Sequence, residues 1–377
     1  MYLFLLTFFL LYGSLHLYFF LKIRAAFAPG APLQALIVAL LVLGLMAPII
    51  VRVAERYGLE LLVRFMSWAG YLWMGFLLLF FASALLLDLY RLLVHLAGLA
   101  LPIDPGRFIP RARTLFVAPL AVALIAGCYG FFEARQIRTE RLEVHSARLP
   151  KETGRIRIVQ ISDVHVGVLV RGGRLAGMLR KVREAEPDIL VSTGDLVDGQ
   201  LDQMAEAAAQ LSEIRPRYGK FAVTGNHEFI AGIDAALDFT ARAGFSVLRG
   251  RSITVAGAVD LAGVDDPAVL RFAVPGWVPE QQVVPVRDGR FTVLLKHQPL
   301  LGKDGQGAFD LQLSGHTHRG QIFPFVLVTR LFYPYQSGDF PLPGGALLHV
   351  SRGTGTWGPP IRFLSPPEIT IIDLIPE

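Results

Sequence analysis

The sequence predicts an N-terminal region of four transmembrane helices followed by an α/β domain in which a mixed sheet stacks on a second one. Three observations carry that expectation. Long apolar stretches are confined to the first 132 residues. From Arg155 onward, short β-branched runs alternate with amphipathic helical stretches. The early runs end in polar clusters rich in Asp, Asn and His.

The candidate spans are Met1–Leu21, Leu33–Val51, Phe65–Leu87 and Thr114–Phe132. Each approaches the roughly 20 residues that a helix needs to cross a hydrocarbon core. None contains a charged side chain, whereas Lys22, Arg24, Arg52, Arg56, Arg64, Arg91, Arg111, Arg113 and Arg135 lie between or beside them. A charge at the bilayer centre costs roughly 3 kcal/mol on insertion scales, which explains the segregation. Pro48 and Pro119 are tolerated because neighbouring helices re-satisfy the backbone. The first stretch lacks the basic start and small-residue cleavage site of a signal peptide. Intramembrane His16 is expected to hydrogen-bond a neighbouring helix. A multi-pass membrane protein of bacterial type follows, with basic residues nearly balanced between the two sides and so no assigned orientation.

Charge separates the two parts. Residues 1–150 carry 13 Lys+Arg against 7 Asp+Glu, and residues 151–377 carry 23 against 24. The basic excess therefore lies in loops between apolar segments, and a nucleic-acid groove, which needs a basic folded face, is not expected. The one cysteine, Cys128, sits inside an apolar run, so neither a disulfide framework nor a cysteine metal site is available.

Residues 133–154 read as a basic connector into a catalytic domain over 155–377. Strand-like runs there are Ile156–Ile161, Ile189–Ser192, Phe221–Val223, Phe291–Leu295, Leu311–Leu313, Leu347–Val350 and Ile369–Leu374. Helical periodicity covers Leu175–Glu184 and Gln203–Ile214. In such sheets, loops leaving the carboxyl ends of strands converge on one crevice. Five clusters occupy those ends: Asp163-x-His165, Gly194-Asp195, Gly225-Asn226-His227-Glu228, Lys296-His297 and Gly315-His316-Thr317-His318. Imidazoles, carboxylates and an amide oxygen suit divalent transition ions. The Asp-x-His and His-x-His alternation would place both members of a pair on one side of an extended strand end. Gly194, Gly225 and Gly315 would let the backbone turn sharply beside them.

This ordered set resembles the calcineurin-like metallophosphoesterase superfamily, over about residues 155–375. Leu313–His318, Gly320-Gln321 and Pro366-Pro367-Glu368 look most like its membrane-associated YkuE/YaeI-like branch. The resemblance implies an αββα sandwich and two divalent metal ions, Mn, Fe or Zn. One ion would be held by Asp163, His165 and His318, the other by Asn226, His297 and His316, with Asp195 bridging. His227 would act on the substrate, with Glu228 orienting its ring. Arg319 stands where the family carries glycine. Arg319 and Arg352 are candidates to grip a phosphate, a surface salt bridge being the alternative for each.

The expected function is hydrolysis of a phosphate ester (diester, monoester or pyrophosphate) at a membrane, through water activated between two metals. Two alternatives remain. One is a lipid-precursor pyrophosphatase acting on a nucleotide-linked glycolipid; the other is a metal-containing sensor or scaffold without catalysis. The partners expected are the bilayer and a phosphate ester, lipid-linked in one version. The aromatic stretch Phe323–Tyr335 reads as packing or membrane-contacting surface.

Overall fold

The computed structural model describes residues 2–199, 204–284, 289–302 and 308–377. Packing divides the chain into two units, Met1–Phe132 with Gly358–Phe363, and Glu133–Trp357 with Leu364–Glu377.

The first unit contains α1 (Tyr2–Phe27), α2 (Ala31–Arg56), α3 (Glu60–Ala100) and α4 (Ala112–Glu133). All four are long and apolar enough to cross a membrane by length and composition. Each overruns its apolar stretch, because hydropathy marks where a helix meets lipid, whereas charged residues continue it. The 41 residues of α3 reach about 60 Å, twice a hydrocarbon core. Phe19, Leu77, Phe80, Ala84 and Phe116 are buried among the helices, and Leu10, Leu36, Leu86 and Ile125 are exposed. Trp73 Nε1 of α3 donates to His16 Nε2 of α1 at 2.9 Å, the interhelical bond expected of His16. The segment Gly358–Phe363 joins this unit by backbone, with Arg362 N donating to Gly130 O at 2.9 Å. A side chain at Gly130 would meet Ile361 and the Arg362 carbonyl, so close approach requires glycine there.

The second unit is a sandwich of two six-stranded sheets. In chain order the strands are β1 (Arg138–Ser146), β2 (Ile156–Ile161), β3 (Ile189–Ser192), β4 (Lys220–Ala222), β5 (Ser246–Val247) and β6 (Arg251–Val255). They continue with β7 (Val259–Gly263), β8 (Phe291–Leu295), β9 (Leu311–Ser314), β10 (Gly338–Pro341), β11 (Leu347–Val350) and β12 (Glu368–Pro376). One sheet runs β1-β12-β2-β3-β4-β5, the other β10-β11-β9-β8-β7-β6. Strands β2 to β5 are mutually parallel and β12 is antiparallel to β2. In the second sheet β7, β8, β9 and β11 are parallel, with antiparallel β6 and β10 at the edges.

The apolar layer between the sheets includes Ile156, Ile158, Val191, Leu261, Val293, Leu295, Leu313 and Ile372. The outer face of the first sheet is covered by α5 (Gly173–Glu184), α6 (Ala205–Ser212) and α8 (Ile233–Arg242), through Leu175, Met178, Leu179, Leu211 and Phe239. The six-residue α7 (Asn226–Ala231) precedes α8. Short elements and loops around Val283, Phe309 and Leu342 cover the other sheet. Gln160 at the end of β2 donates to Thr193 Oγ1 at 2.9 Å and to Ser314 O at 3.0 Å, tying the carboxyl ends of both sheets together.

The sequence reading did not include β5, β6, β7 and β10, and two further details differ from it. The connector contains a strand: β1 pairs in parallel with β12 along all nine residues. Its residues alternate between exposed and half-buried, and four of the nine are Arg or Glu, so an edge strand read as a charged linker. The second helical stretch is shorter than expected, and Gln203 lies outside the described residues.

Candidate metal centre

The loops after β2 and β3 run side by side. Asp163 N donates to Gly194 O, and His165 N to Asp195 O, each at 3.0 Å, and Val166 and Val197 form a parallel bridge. The expected extended alternation is absent. Asp163, His165, Asp195, His316 and His318 all adopt left-handed φ, between 47° and 70°. Such conformations cost of order 1 kcal/mol or more in non-glycine residues and cluster at functional sites. The pairs are therefore aimed by two left-handed residues separated by one, and the strand pleat has no part in it. The glycines serve two ends. Gly194 has φ 95°, whereas side chains at Gly225 and Gly315 would collide with Asp195 and with Ser162 and Asp163.

Three triplets of possible ligand atoms form, each with its atoms within 4.8 Å of one another: Asp163–His165–His318, His165–Asp195–His227 and Asp195–His297–His316. His165 Nε2 lies 3.1 Å from His318 Nε2, and His316 Nδ1 lies 3.1 Å from His297 Nε2. Asp163 Oδ1 is 3.2 Å from His318 Nε2. Asp195 Oδ2 is 3.2 Å from His297 Nε2 and 3.9 Å from His165 Nε2, so one carboxylate oxygen faces both groups. All these side chains are buried except His316, which is half-buried. Asn226 Oδ1 is buried without a hydrogen-bond partner, and an unsatisfied amide oxygen suits a cation.

The electrostatics oppose one another across the cluster. Burial favours a neutral Asp163, but His318, and then His297 and His165, hold it well below the usual carboxylate range. Burial disfavours a charged His297, yet Asp195 and Asp163 raise it well above its ordinary value. Burial and the adjacent His297 pull His316 down to about 3. Opposing burial, Asp195 and Asp198 raise His227 to about 9.

Residues 156–320 match the calcineurin-like phosphoesterase family. A metallophosphoesterase of Aquifex aeolicus is 39% identical over 256 residues, which cover 67% of this chain and 97% of that one. The chain belongs to the metallophosphoesterase family. The metallophosphoesterase YkuE of Bacillus subtilis is 31% identical, the match covering 70% of this chain and 95% of that protein. A Bos taurus transmembrane protein with metallophosphoesterase domain is 32% identical, over 74% of this chain and 66% of its own. This metallophosphoesterase is accordingly a hydrolase acting on phosphoric ester bonds, with His/Asp clusters able to bind metal and an association with membranes.

Two expected roles change. Glu228 does not orient His227: its carboxylate accepts from Asp195 N (3.0 Å), Leu196 N (2.8 Å), Val197 N (3.3 Å) and Gly225 N (2.6 Å). Position N3 of α7 directs it back onto the turn, and it pins the two loops that carry Asp195 and Asn226. The partner of His227 is Asp198, which sequence reasoning missed. Its Oδ1 lies 3.1 Å from His227 Nδ1 and 3.3 Å from His165 Nδ1. Arg352 points away from phosphate duty: its guanidinium pairs with Glu140 of β1 and Glu368 of β12, and its Nε donates to Pro366 O at 3.0 Å. Arg319, in contrast, is exposed directly after His318.

Two aromatic residues complete the rim. Tyr333 Oη is 2.8 Å from His316 Nε2 and donates to Gln298 Oε1 at 3.3 Å. The half-exposed Trp357 stands edge-on to His227, with ring centroids 6.1 Å apart.

Proposed function

We propose that this protein is a membrane-anchored hydrolase of phosphate esters whose centre holds two divalent ions, Mn, Fe or Zn. Residues 1–132 would serve as a multi-pass anchor and 155–377 as the catalytic domain, joined through 133–154. Asp163, His165 and His318 would hold one ion; Asn226, His297 and His316 would hold the other. Asp195 would serve both, and the carrying observation is that its Oδ2 faces His165 and His297 together. Two such ions supply charge neutralisation at phosphoryl oxygens and lower the pKa of water.

The protein's own groups do the rest. Asp198 takes one ring nitrogen of His227 and leaves Nε2 to the substrate, where a protonated imidazole donates to the leaving alkoxide. The partner carboxylate fixes the tautomer and keeps the proton available near neutral pH. Arg319, exposed beside His318, is placed to grip a phosphoryl oxygen.

A lipid-linked ester is favoured as substrate by one observation. Leu327, Leu331 and Phe332 are 57%, 79% and 70% exposed in the segment that leads into Tyr333, at the edge of the cluster. Apolar side chains presented beside a polar site suit an amphiphile. The purified full-length protein with added Mn²⁺ tests this on mono-, di- and pyrophosphate esters, each free and lipid-linked. Metal-dependent turnover with the highest kcat/KM on a lipid-linked ester is expected. Absence of turnover on every ester would favour the scaffold reading instead.

A further inference from the structure

Helices α1 and α3 carry a cluster of ionisable side chains that the hydrolytic centre does not use. Tyr18 Oη donates to Asp88 Oδ2 at 2.6 Å, and Lys22 Nζ donates to Asp88 Oδ1 at 2.5 Å. Arg91 Nη1 stands 3.4 Å from the same Oδ1. These residues, with His95 and the leucines beside them, line a cavity of about 410 Å³. Both oxygens of Asp88 are thus engaged, and one carboxylate faces two basic side chains. The cavity keeps a positive charge in excess. Arg91 Nε has no hydrogen-bond partner and Nη1 approaches Asp88 only at 3.4 Å, so the half-exposed guanidinium keeps donors for an anionic acceptor.

The surroundings define the ligand further. The uncharged runs of α1 and α3 end at Leu21 and Leu87, so Lys22 and Asp88 stand where spans of that length would leave a hydrocarbon core. Leu21 and Leu92 form the apolar part of the wall, and the exposed Leu89, Leu93 and Leu96 extend that surface along α3. A ligand matching both halves has a phosphate between two basic side chains and acyl chains against leucine.

We propose that this cavity binds the phosphodiester headgroup of an anionic glycerophospholipid, with Arg91 and Lys22 on the phosphate and the acyl chains against Leu21 and Leu92. The proposal rests on these helices being bilayer spans. Retention of the protein in membranes through an alkaline wash is scored separately, and its failure would count against the spans.

The test uses full-length protein in a non-ionic detergent, titrated with phosphatidylglycerol, phosphatidylcholine or inorganic phosphate. Bound lipid is read by native mass spectrometry and Tm by thermal unfolding. Phosphatidylglycerol is expected to remain bound and raise Tm, with the other two weaker. R91Q should lower its affinity about tenfold, and R91K should recover part of the loss. An unchanged Tm of lipid-free R91Q, beside unchanged metal-dependent hydrolysis of a soluble ester, shows that the variant is folded. Equal retention of phosphatidylglycerol by wild type and R91Q would overturn the proposal. So would equal protection by inorganic phosphate, which identifies a free anion as ligand, or by phosphatidylcholine, which identifies detergent-like binding.

Discussion

The Asp195 carboxylate touches both halves of the cluster, and its two oxygens have different tasks. Oδ1 accepts from His227 N at 2.8 Å, while Oδ2 faces the imidazoles. The candidate ligands stand out in the sequence because each sits in a short cluster after an apolar run. Asp198 could not. It lies three residues past Asp195, and only the bridge between Val166 and Val197 brings it beside His165 and His227. A second carboxylate shortly after a candidate ligand was the available signal. We expect His227→Ala to keep its metal and lose roughly 10²–10⁴-fold in turnover, less for a nitrophenolate leaving group. Asp198→Asn should do the same in smaller measure, roughly 10–100-fold, as partners of site histidines do. A halved metal content in His227→Ala would make His227 a ligand instead. The raised His297 predicts pH-dependent loading. Asp195 and Asp163 favour its protonated form in the metal-free site, and only the neutral imidazole can bind an ion. Metal binding at pH 7 should therefore release at least one proton, and affinity should fall as pH is lowered. Calorimetry in two buffers of different ionisation enthalpy measures the release; identical heats in both would contradict it.

Among the elements, the sequence revealed most of the buried strands, though not β7, whose Asp260 and Gly263 break the apolar run. Runs such as Ile156–Ile161 and Phe291–Leu295 carry apolar residues on both faces, because both faces are covered by other elements. Edge strands were hidden for the opposite reason. The two residues of β5 carry too little pattern, and β1 spends half its residues on solvent. That strand gives an element-scale prediction. A soluble fragment starting at Glu133 keeps β1 on β12 and keeps the anchor of Arg352, Glu140. One starting at Lys151 leaves nine residues of β12 unpaired along that edge. We expect the longer fragment to be monomeric and active on a soluble diester, and the shorter to aggregate or unfold at least several degrees lower. Equal Tm and activity for the two would show β1 to be dispensable.

At the scale of the whole molecule, four apolar helices and a phosphoesterase domain occupy one chain, and the lipid-linked substrate reading joins their chemistry. Replacing Leu331 and Phe332 by Ser should lower kcat/KM for a lipid-linked ester in liposomes several-fold, leaving its soluble head group unaffected, because these side chains are exposed. Equal losses on both esters would assign the segment to folding of the site. The two-metal centre itself is tested most directly by bound metal and turnover in Asp195→Ala beside His165→Ala. The account predicts two ions per wild-type chain, loss of both ions and of turnover in Asp195→Ala, and mainly one weakened ion in His165→Ala. Full turnover by Asp195→Ala after chelation would contradict it.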